Sequence, residues 1–294
     1  MEGISVAGIE KLSSALEKEA MKEDIHKRFV HFQEFLPKIQ AFLIKTQRKS
    51  DFRIDKKGPI DLVTEADLGS EKMVVEEISK FFPDDHIMGE EGSSVQGKNQ
   101  YRWIIDPVDG TTNFAHRLPL YGICLGLQNM ESGRMEMGIV SFPALGDTYH
   151  AIRGAGAFKN GERIFVSETS ELINALVSTG FPYDKKQRME SVIHNLRSML
   201  LAVRDVRRTG VASLDLCWVA EGRFDAYWEE NLKPWDMAAA SIIVEEAGGR
   251  LSTFDGNDFS IFVPNLLSSN SIIHEKLIER LSVISPQVKS EFGL

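Results

Sequence analysis

The sequence predicts an α/β protein of two unlike halves. An α+β N-terminal half carries an antiparallel sheet, and a C-terminal half carries a mostly parallel one. Three observations predict this. Strand-like runs at 87–88, 101–105, 122–128, 137–142 and 148–152 follow one another with Gly or Pro punctuation, the rhythm of antiparallel neighbours. After about Phe165, strands alternate with helices, as crossovers between parallel strands require. The chain has 294 residues, 43% hydrophobic and 26% charged, enough for one large domain or two modest ones with real cores. The halves are expected at 1–165 and 166–294, packed as one unit with a cleft between them.

Taken in order, residues 4–47 space their apolar side chains helically (Ile9, Leu12, Leu16, then Ile25, Phe29, Phe32), with an interruption or restart expected at Pro37. A basic turn, Lys56-Lys57-Gly58-Pro59, leads into Asp61-Leu62-Val63-Thr64-Glu65-Ala66-Asp67. An amphipathic helix follows to about Phe82, where Pro83 stops it. In the second half, 175–178 reads as a strand, 186–201 as a helix and 205–207 as a strand. Then come a helix over 211–220, a strand over 224–228, and a helix over 236–247 that Gly248-Gly249 ends. No internal repeat, low-complexity tract or flexible linker interrupts the pattern.

The net charge of −9 argues against a broad nucleic-acid surface, which needs clustered Lys and Arg. It is compatible with a small phosphorylated substrate, because a bound metal reverses the local field. Cys124 and Cys217 lie far apart in apolar contexts and read as buried thiols in a reducing compartment. The N-terminal stretch has early acids and no long apolar core, so a secretory signal is not expected, and no run is long enough to cross a bilayer. A cytoplasmic protein is the expectation.

The chemistry concentrates in Trp103-Ile104-Ile105-Asp106-Pro107-Val108-Asp109-Gly110-Thr111-Thr112. An apolar strand ends here in hard oxygen ligands of the kind that suit Mg²⁺. Gly110 then allows close backbone approach, and Thr111 and Thr112 can open a helix whose free N–H groups attract phosphate. Counting excludes familiar competitors. A calcium loop with Gly110 at its sixth position would close on His116, not an acid. The D-x-x-D spacing is not the D-x-D of a covalent aspartyl phosphatase, and no Gly-Lys-Ser/Thr phosphate loop is present. Other acids have bland readings when taken singly. Asp67 reads as a first-turn acid, Glu90-Glu91 and Glu229-Glu230 as polar turns, and Asp236 as a helix cap. His86 and His116 lack metal-ligand spacing and read as structural.

Together these segments resemble the inositol monophosphatase family of Mg²⁺-dependent, lithium-sensitive phosphatases. Asp106-Pro107-Val108-Asp109-Gly110-Thr111-Thr112-Asn113-Phe114 is similar to its signature, and Gly89-Glu90-Glu91 to its upstream G-E-E. Asp61 to Asp67 is similar to its D-x-V-T-x-x-D. Lys233-Pro234-Trp235-Asp236 with Glu246-Ala247-Gly248-Gly249 resembles its C-terminal motif. The match runs from about Lys56 to Gly256, and the 206–210 stretch and K-P-W-D form look like bacterial members.

The resemblance implies a layered αβαβα sandwich of the sugar-phosphatase type and a set of roles that suit the residue chemistry. Glu90, Asp106, the Val108 carbonyl, Asp109 and Asp236 would hold two to three Mg²⁺ ions, Asp106 bridging. Thr111 and Asp67 would orient the attacking water. The amides of Gly110, Thr111 and Thr112 would cradle phosphate, while Asp109, the backbone at Ala212, and Glu229 would meet substrate hydroxyls. Lys56 would lie near the metals on a loop. The implied reaction is hydrolysis of inositol 1-phosphate without a phosphoenzyme, by a homodimer with no nucleic-acid or membrane partner. Fructose 1,6-bisphosphate, NADP and an adenosine bisphosphate are same-family alternatives, and a non-catalytic regulatory binding protein is the alternative of another class.

Overall fold

A computed structural model describes residues 6–56 and 62–281, with side chains described from residue 22 onward except at 56 and 185. The chain opens with helix α1 (Val6–Arg48). Strands β1 (Ile54–Lys56) and β2 (Leu62–Thr64) pair antiparallel ahead of α2 (Glu65–Phe81). Next come β3 (His86–Gly89), β4 (Ser94–Val95), β5 (Tyr101–Asp109) and the short helix α3 (Thr111–Ala115). A meander follows through β6 (Gly122–Asn129), β7 (Met135–Phe142), β8 (Asp147–Ile152), β9 (Gly156–Lys159) and β10 (Glu162–Arg163). The rest of the chain alternates: β11 (Leu176–Thr179), α4 (Lys185–Leu200), β12 (Asp205–Arg207), α5 (Ala212–Ala220), β13 (Ala226–Glu230) and α6 (Pro234–Glu246). It ends with β14 (Arg250–Ser252), β15 (Asn265–Ser269) and α7 (His274–Ile278).

The first sheet runs β10-β9-β8-β7-β6-β5-β3-β4 and is antiparallel at every pairing except β3 with β5. The second runs β12-β11-β13-β15-β14. Here β11 is parallel to both neighbours, but β15 is antiparallel to β13 and to β14. This sheet is therefore mixed, not mostly parallel. The reason is local: α6 returns the chain so that β13 and β14 share a direction, whereas β15 follows β14 without a crossover helix and inserts antiparallel between them.

Side-chain alternation sets the layers. Trp103 and Ile105 of β5 face α1 and α2 with Phe32, Ile39, Leu43, Val74 and Ile78, while Ile104 faces the opposite cluster around α5 and α6. Tyr227 and Leu266 of the second sheet join that middle cluster. Ala226, Trp228 and Leu267 turn the other way, onto Met199 of α4 and Leu277 of α7. The order is helices, sheet, helices, sheet, helices, the expected αβαβα sandwich.

Helix α1 departs from expectation by running unbroken through Pro37. An interior proline costs about 3 kcal/mol. Buried Phe32, Phe35 and Leu36 before it and Ile39 and Leu43 after it share one apolar stripe, and that packing outweighs the lost hydrogen bond. A buried ion pair also fastens α1. Arg28 meets Asp85 through Nε (2.8 Å) and Nη2 (2.6 Å), lies over the rings of Phe82 and Tyr101, and shares Asp85 with Trp103 Nε1. Among the described residues no helix is long and apolar enough to cross a membrane.

Candidate active site

Strand β5 carries its acids to the boundary between the first sheet and the middle helices. The ladder with β6 is regular to Asp106↔Cys124 and shifts before Asp109↔Gly122, so the chain bulges across Pro107 and Val108. The bulge is where the proline, which cannot donate to a ladder, is tolerated, and it turns both aspartates into one place. Val108 N–H closes the loop onto Asp106 Oδ1 at 3.1 Å. Gly110 follows with φ 91°, where a Cβ would stand only 2.7 Å from Val211 Cγ2, and initiates α3.

Three other elements bring acids to the same point. Glu90 lies just beyond β3, its N–H bonded to the Ile105 carbonyl at 3.1 Å, which sets it beside Asp106. Asp67 sits in the first turn of α2 and closes a capping box with Thr64, whose N–H reaches Asp67 Oδ2 at 2.8 Å. Its other oxygen, Oδ1, accepts from Thr111 Oγ1 at 2.9 Å. Asp236 holds the corresponding place in α6, accepting the Lys233 N–H at 2.6 Å. The cap readings of Asp67 and Asp236 are thus correct and incomplete, because each carboxyl caps its own helix while reaching the site.

Asp109 has a task the sequence did not suggest. Helix α5 has no side-chain cap of its own, and Asp109 Oδ2 accepts the Ser213 N–H at 2.7 Å with the Ala212 amide also directed to it. The orphan donors of α5 are satisfied from β5, which joins the first sheet to the middle layer at the site.

The electrostatics are those of crowded like charges. Burial, then the carboxylates of Glu90, Asp109 and Asp236, push Asp106 well above the usual carboxylate range. Burial and Asp109 do the same to Asp236, and burial raises Asp109 against the pull of the α5 amides. Among the described residues no Lys, Arg or His side chain forms an ion pair with Asp106, Asp109 or Asp236. Like charges of this density, Asp106 and Asp109 buried and Glu90 and Asp236 half-buried, need a counter-charge, and oxygen donors from these four and the Val108 carbonyl fit a hard divalent ion. Cys124 lies behind them, its Sγ and oxygens of Asp106 and Asp109 all within 4.8 Å of one another. Burial holds this thiol well above its ordinary range, so it is a poor ligand for such an ion. Only the sheet register reveals that Cys124 is there.

A cavity of about 470 Å³ opens in front of the acids. Of the expected site residues, Asp109, Gly110, Thr112, Ala212, Glu229 and Asp236 line it, whereas Asp67, Glu90, Asp106, Val108 and Thr111 do not. Glu229 takes the Tyr227 hydroxyl, and burial pushes its carboxyl up to about 7 while Arg208 pulls it down. The same wall includes Gly180, Phe181, Tyr183, Arg208, Gly210 and Leu232, none of which had been assigned a role. The 206–210 stretch was noticeable only as a motif. Asn113 explains part of it, bonding the Leu120 and Thr209 carbonyls at 2.9 and 3.0 Å and so tying α3 to that loop. His86 bonds the Asn99 carbonyl, away from the acids. The Lys56 side chain and Asp61 lie outside the described residues.

Known proteins share this arrangement. The model of the inositol monophosphatase family matches residues 30–285. A fructose-1,6-bisphosphatase/inositol-1-monophosphatase of Thermotoga maritima is 40% identical over 233 residues, which is 79% of this chain and 87% of that protein. The solved extragenic suppressor protein suhB of Bartonella henselae superposes with a TM-score of 0.80 at 34% identity, covering 83% of this chain and 94% of that one. An IMPase/NADP phosphatase solved with Mg²⁺ and phosphate gives 0.76 at 25% identity, covering 89% and 96%. The chain belongs to the inositol monophosphatase family of phosphatases.

Proposed function

We propose that this protein hydrolyses a phosphate monoester of a polyol, inositol 1-phosphate foremost, by direct attack of water with Mg²⁺ held at Glu90, Asp106, Val108, Asp109 and Asp236. The observation that carries the proposal is the meeting of buried Asp106 and Asp109 of β5 with Glu90 beyond β3 and Asp236 of α6, beside the cavity that Asp109 and Asp236 line, with no cationic side chain among the described residues paired to Asp106, Asp109 or Asp236. When bound, Mg²⁺ supplies Lewis acidity toward the phosphoryl oxygens and lowers the pKa of coordinated water.

The chain's own groups do the remainder. Thr111 Oγ1 has one proton and faces two acceptors, Asp67 Oδ1 at 2.9 Å and the Val108 carbonyl at 3.0 Å. Donation to the carboxylate is the stronger bond. It leaves the Thr111 lone pairs to accept from, and orient, the attacking water, with Asp67 as the proton sink behind it. The amides of Gly110, Thr111 and Thr112 bind phosphate where α3 begins. Asp109, the Ala212 backbone and Glu229 meet the substrate hydroxyls.

Arg208 favours a second reading of the substrate. Its guanidinium lies over the Phe181 ring and lines the same cavity, where it could meet a second anionic group, as fructose 1,6-bisphosphate presents. Phosphate release with Mg²⁺ measured across inositol 1-phosphate, fructose 1,6-bisphosphate, NADP and adenosine bisphosphate decides between them. The highest kcat/KM is expected for inositol 1-phosphate, and a nucleotide preference would overturn the polyol reading. Asp106→Asn is expected to abolish release from every substrate, and normal turnover by that variant would sink the metal assignment.

A further inference from the structure

Helix α2 touches the β5 bulge, the start of α3 and the turn after β3. Asp67 holds Thr111, and Ser70 Oγ lies 3.2 Å from the Pro107 carbonyl in the β5 bulge. One turn beyond Asp67 on the same face is Glu71, only 3% exposed. Its Oε2 accepts the Glu91 N–H at 2.8 Å and its Oε1 the Ser93 N–H at 3.1 Å. No Lys, Arg or His side chain pairs with it among the described residues. The carboxylate is received by backbone amides of a single turn, and that turn presents Glu90.

The turn is shaped around this acid. Gly89 N–H bonds the Ser93 carbonyl at 2.8 Å, and Gly92 adopts φ 96°. A Cβ on Gly89 would stand 2.5 Å from Glu71 Oε2, so the backbone passes over the carboxylate at a distance only glycine permits. Burying a carboxylate costs several kcal/mol unless it is hydrogen-bonded, which makes Glu71 a poor choice for packing alone. What it does supply is restraint. Glu90 stands beside Asp106, with Asp109 and Asp236 near, so its place in the cluster depends on how firmly the turn is held. The two charge-assisted bonds that Glu71 accepts from Glu91 and Ser93 hold it.

We propose that Glu71 is a positioning residue for the metal site: by clamping the Glu91 and Ser93 amides it holds Glu90 where a divalent cation needs it, so that Mg²⁺ affinity depends on a side chain that never touches the ion. The inference rests on the metal reading given above. It also makes α2 a common mount for water orientation, through Asp67, and for metal affinity, through Glu71.

Two variants test it on the full chain. Glu71→Gln keeps the shape but replaces one acceptor with a donor facing a donor. Glu71→Asp keeps the charge but lacks the reach. Amide hydrogen exchange at Glu91 and Ser93 in metal-free protein, Mg²⁺ binding by calorimetry, and the half-saturating Mg²⁺ for phosphate release are measured together. Exchange at both amides should quicken, and the Mg²⁺ dissociation constant and half-saturating concentration should rise about 10–100-fold, while kcat at saturating Mg²⁺ changes little. Arg28→Met, which loosens a buried ion pair on α1, serves as the control for destabilisation alone. Loosened amides with unchanged Mg²⁺ affinity would overturn the proposal. So would an equal loss of Mg²⁺ affinity in Arg28→Met. Failure of the wild-type protein to bind Mg²⁺ is a separate result, which removes the metal reading and this inference with it.

Discussion

Thr111 shows how much of the site turns on single atoms. Its hydroxyl stands between Asp67 and the Val108 carbonyl, linking the proposed water-orienting acid to a proposed metal ligand. Thr111→Val keeps the shape and removes the relay, so kcat should fall about 10²–10⁴-fold with Mg²⁺ binding retained, and Thr111→Ser should restore most of it. Single-turnover kinetics beside Mg²⁺ calorimetry check this, and a Val variant with near-normal kcat would rule the relay out. Glu229 makes a pH prediction. Burial raises its carboxyl from the ordinary 4.5 to about 7. Between those values the folded protein keeps a proton that the unfolded chain releases, so this group's contribution to stability is full below about 4.5 and is lost as pH rises through about 7. In metal-free protein the wild-type melting temperature should therefore fall relative to Glu229→Gln across that window, and parallel profiles would refute the assignment. The acids were legible in sequence because each lies at the end of an element, where a local pattern is readable. Cys124 and Arg208 were not, since one reaches the site through sheet register and the other through the cavity wall.

Helix starts carry an unusual share of the work. Asp67 and Asp236 each spend an oxygen on the N-terminus of their own helix, and Asp109 spends one on the N-terminus of α5. Capping and site-building are one arrangement here, because a cap fixes the rotamer of the acid it uses. That is why the bland and the functional readings of Asp67 and Asp236 could not be separated from sequence: local signals report the cap, and only tertiary structure adds the site. Helix α1 gives the opposite lesson. Its apolar stripe was readable, but its continuity through Pro37 depended on packing against the first sheet. The Arg28–Asp85 pair belongs to that packing. Arg28→Met leaves Asp85, 1% exposed, without its cation, and chemical denaturation should show a loss of about 3–5 kcal/mol. A loss under 1 kcal/mol would mean that Asn99 and Trp103 suffice to satisfy Asp85.

The five layers place opposed requirements on the whole molecule. Strands β5 and β3 and helices α5 and α6 pack closely enough to bury Asp106 and its neighbours, yet burial is what makes unneutralised acids costly. The succession of an antiparallel half and an alternating half was legible from the rhythm of strands and helices, and the layer order from the family resemblance. The mixed second sheet was not, because β15 pairs between strands that the chain had already laid down, a choice that no local pattern records. The consequence of the buried acids is a coupling between stability and metal. An ion that binds only the folded chain stabilises it by about 2.7 kcal/mol at a hundred times its dissociation constant, which for a domain of this size corresponds to about 5–10 °C in melting temperature. Asp106→Asn separates the two effects by sign. Removing one charge from the cluster should raise the melting temperature of metal-free protein, because a repulsive partner of Glu90, Asp109 and Asp236 is gone. The same change should erase the Mg²⁺-induced rise. Differential scanning calorimetry in chelator and in Mg²⁺ reads both. A variant less stable than wild type without metal, yet still stabilised by Mg²⁺, would show that Asp106 supports the fold and that the ion is held elsewhere.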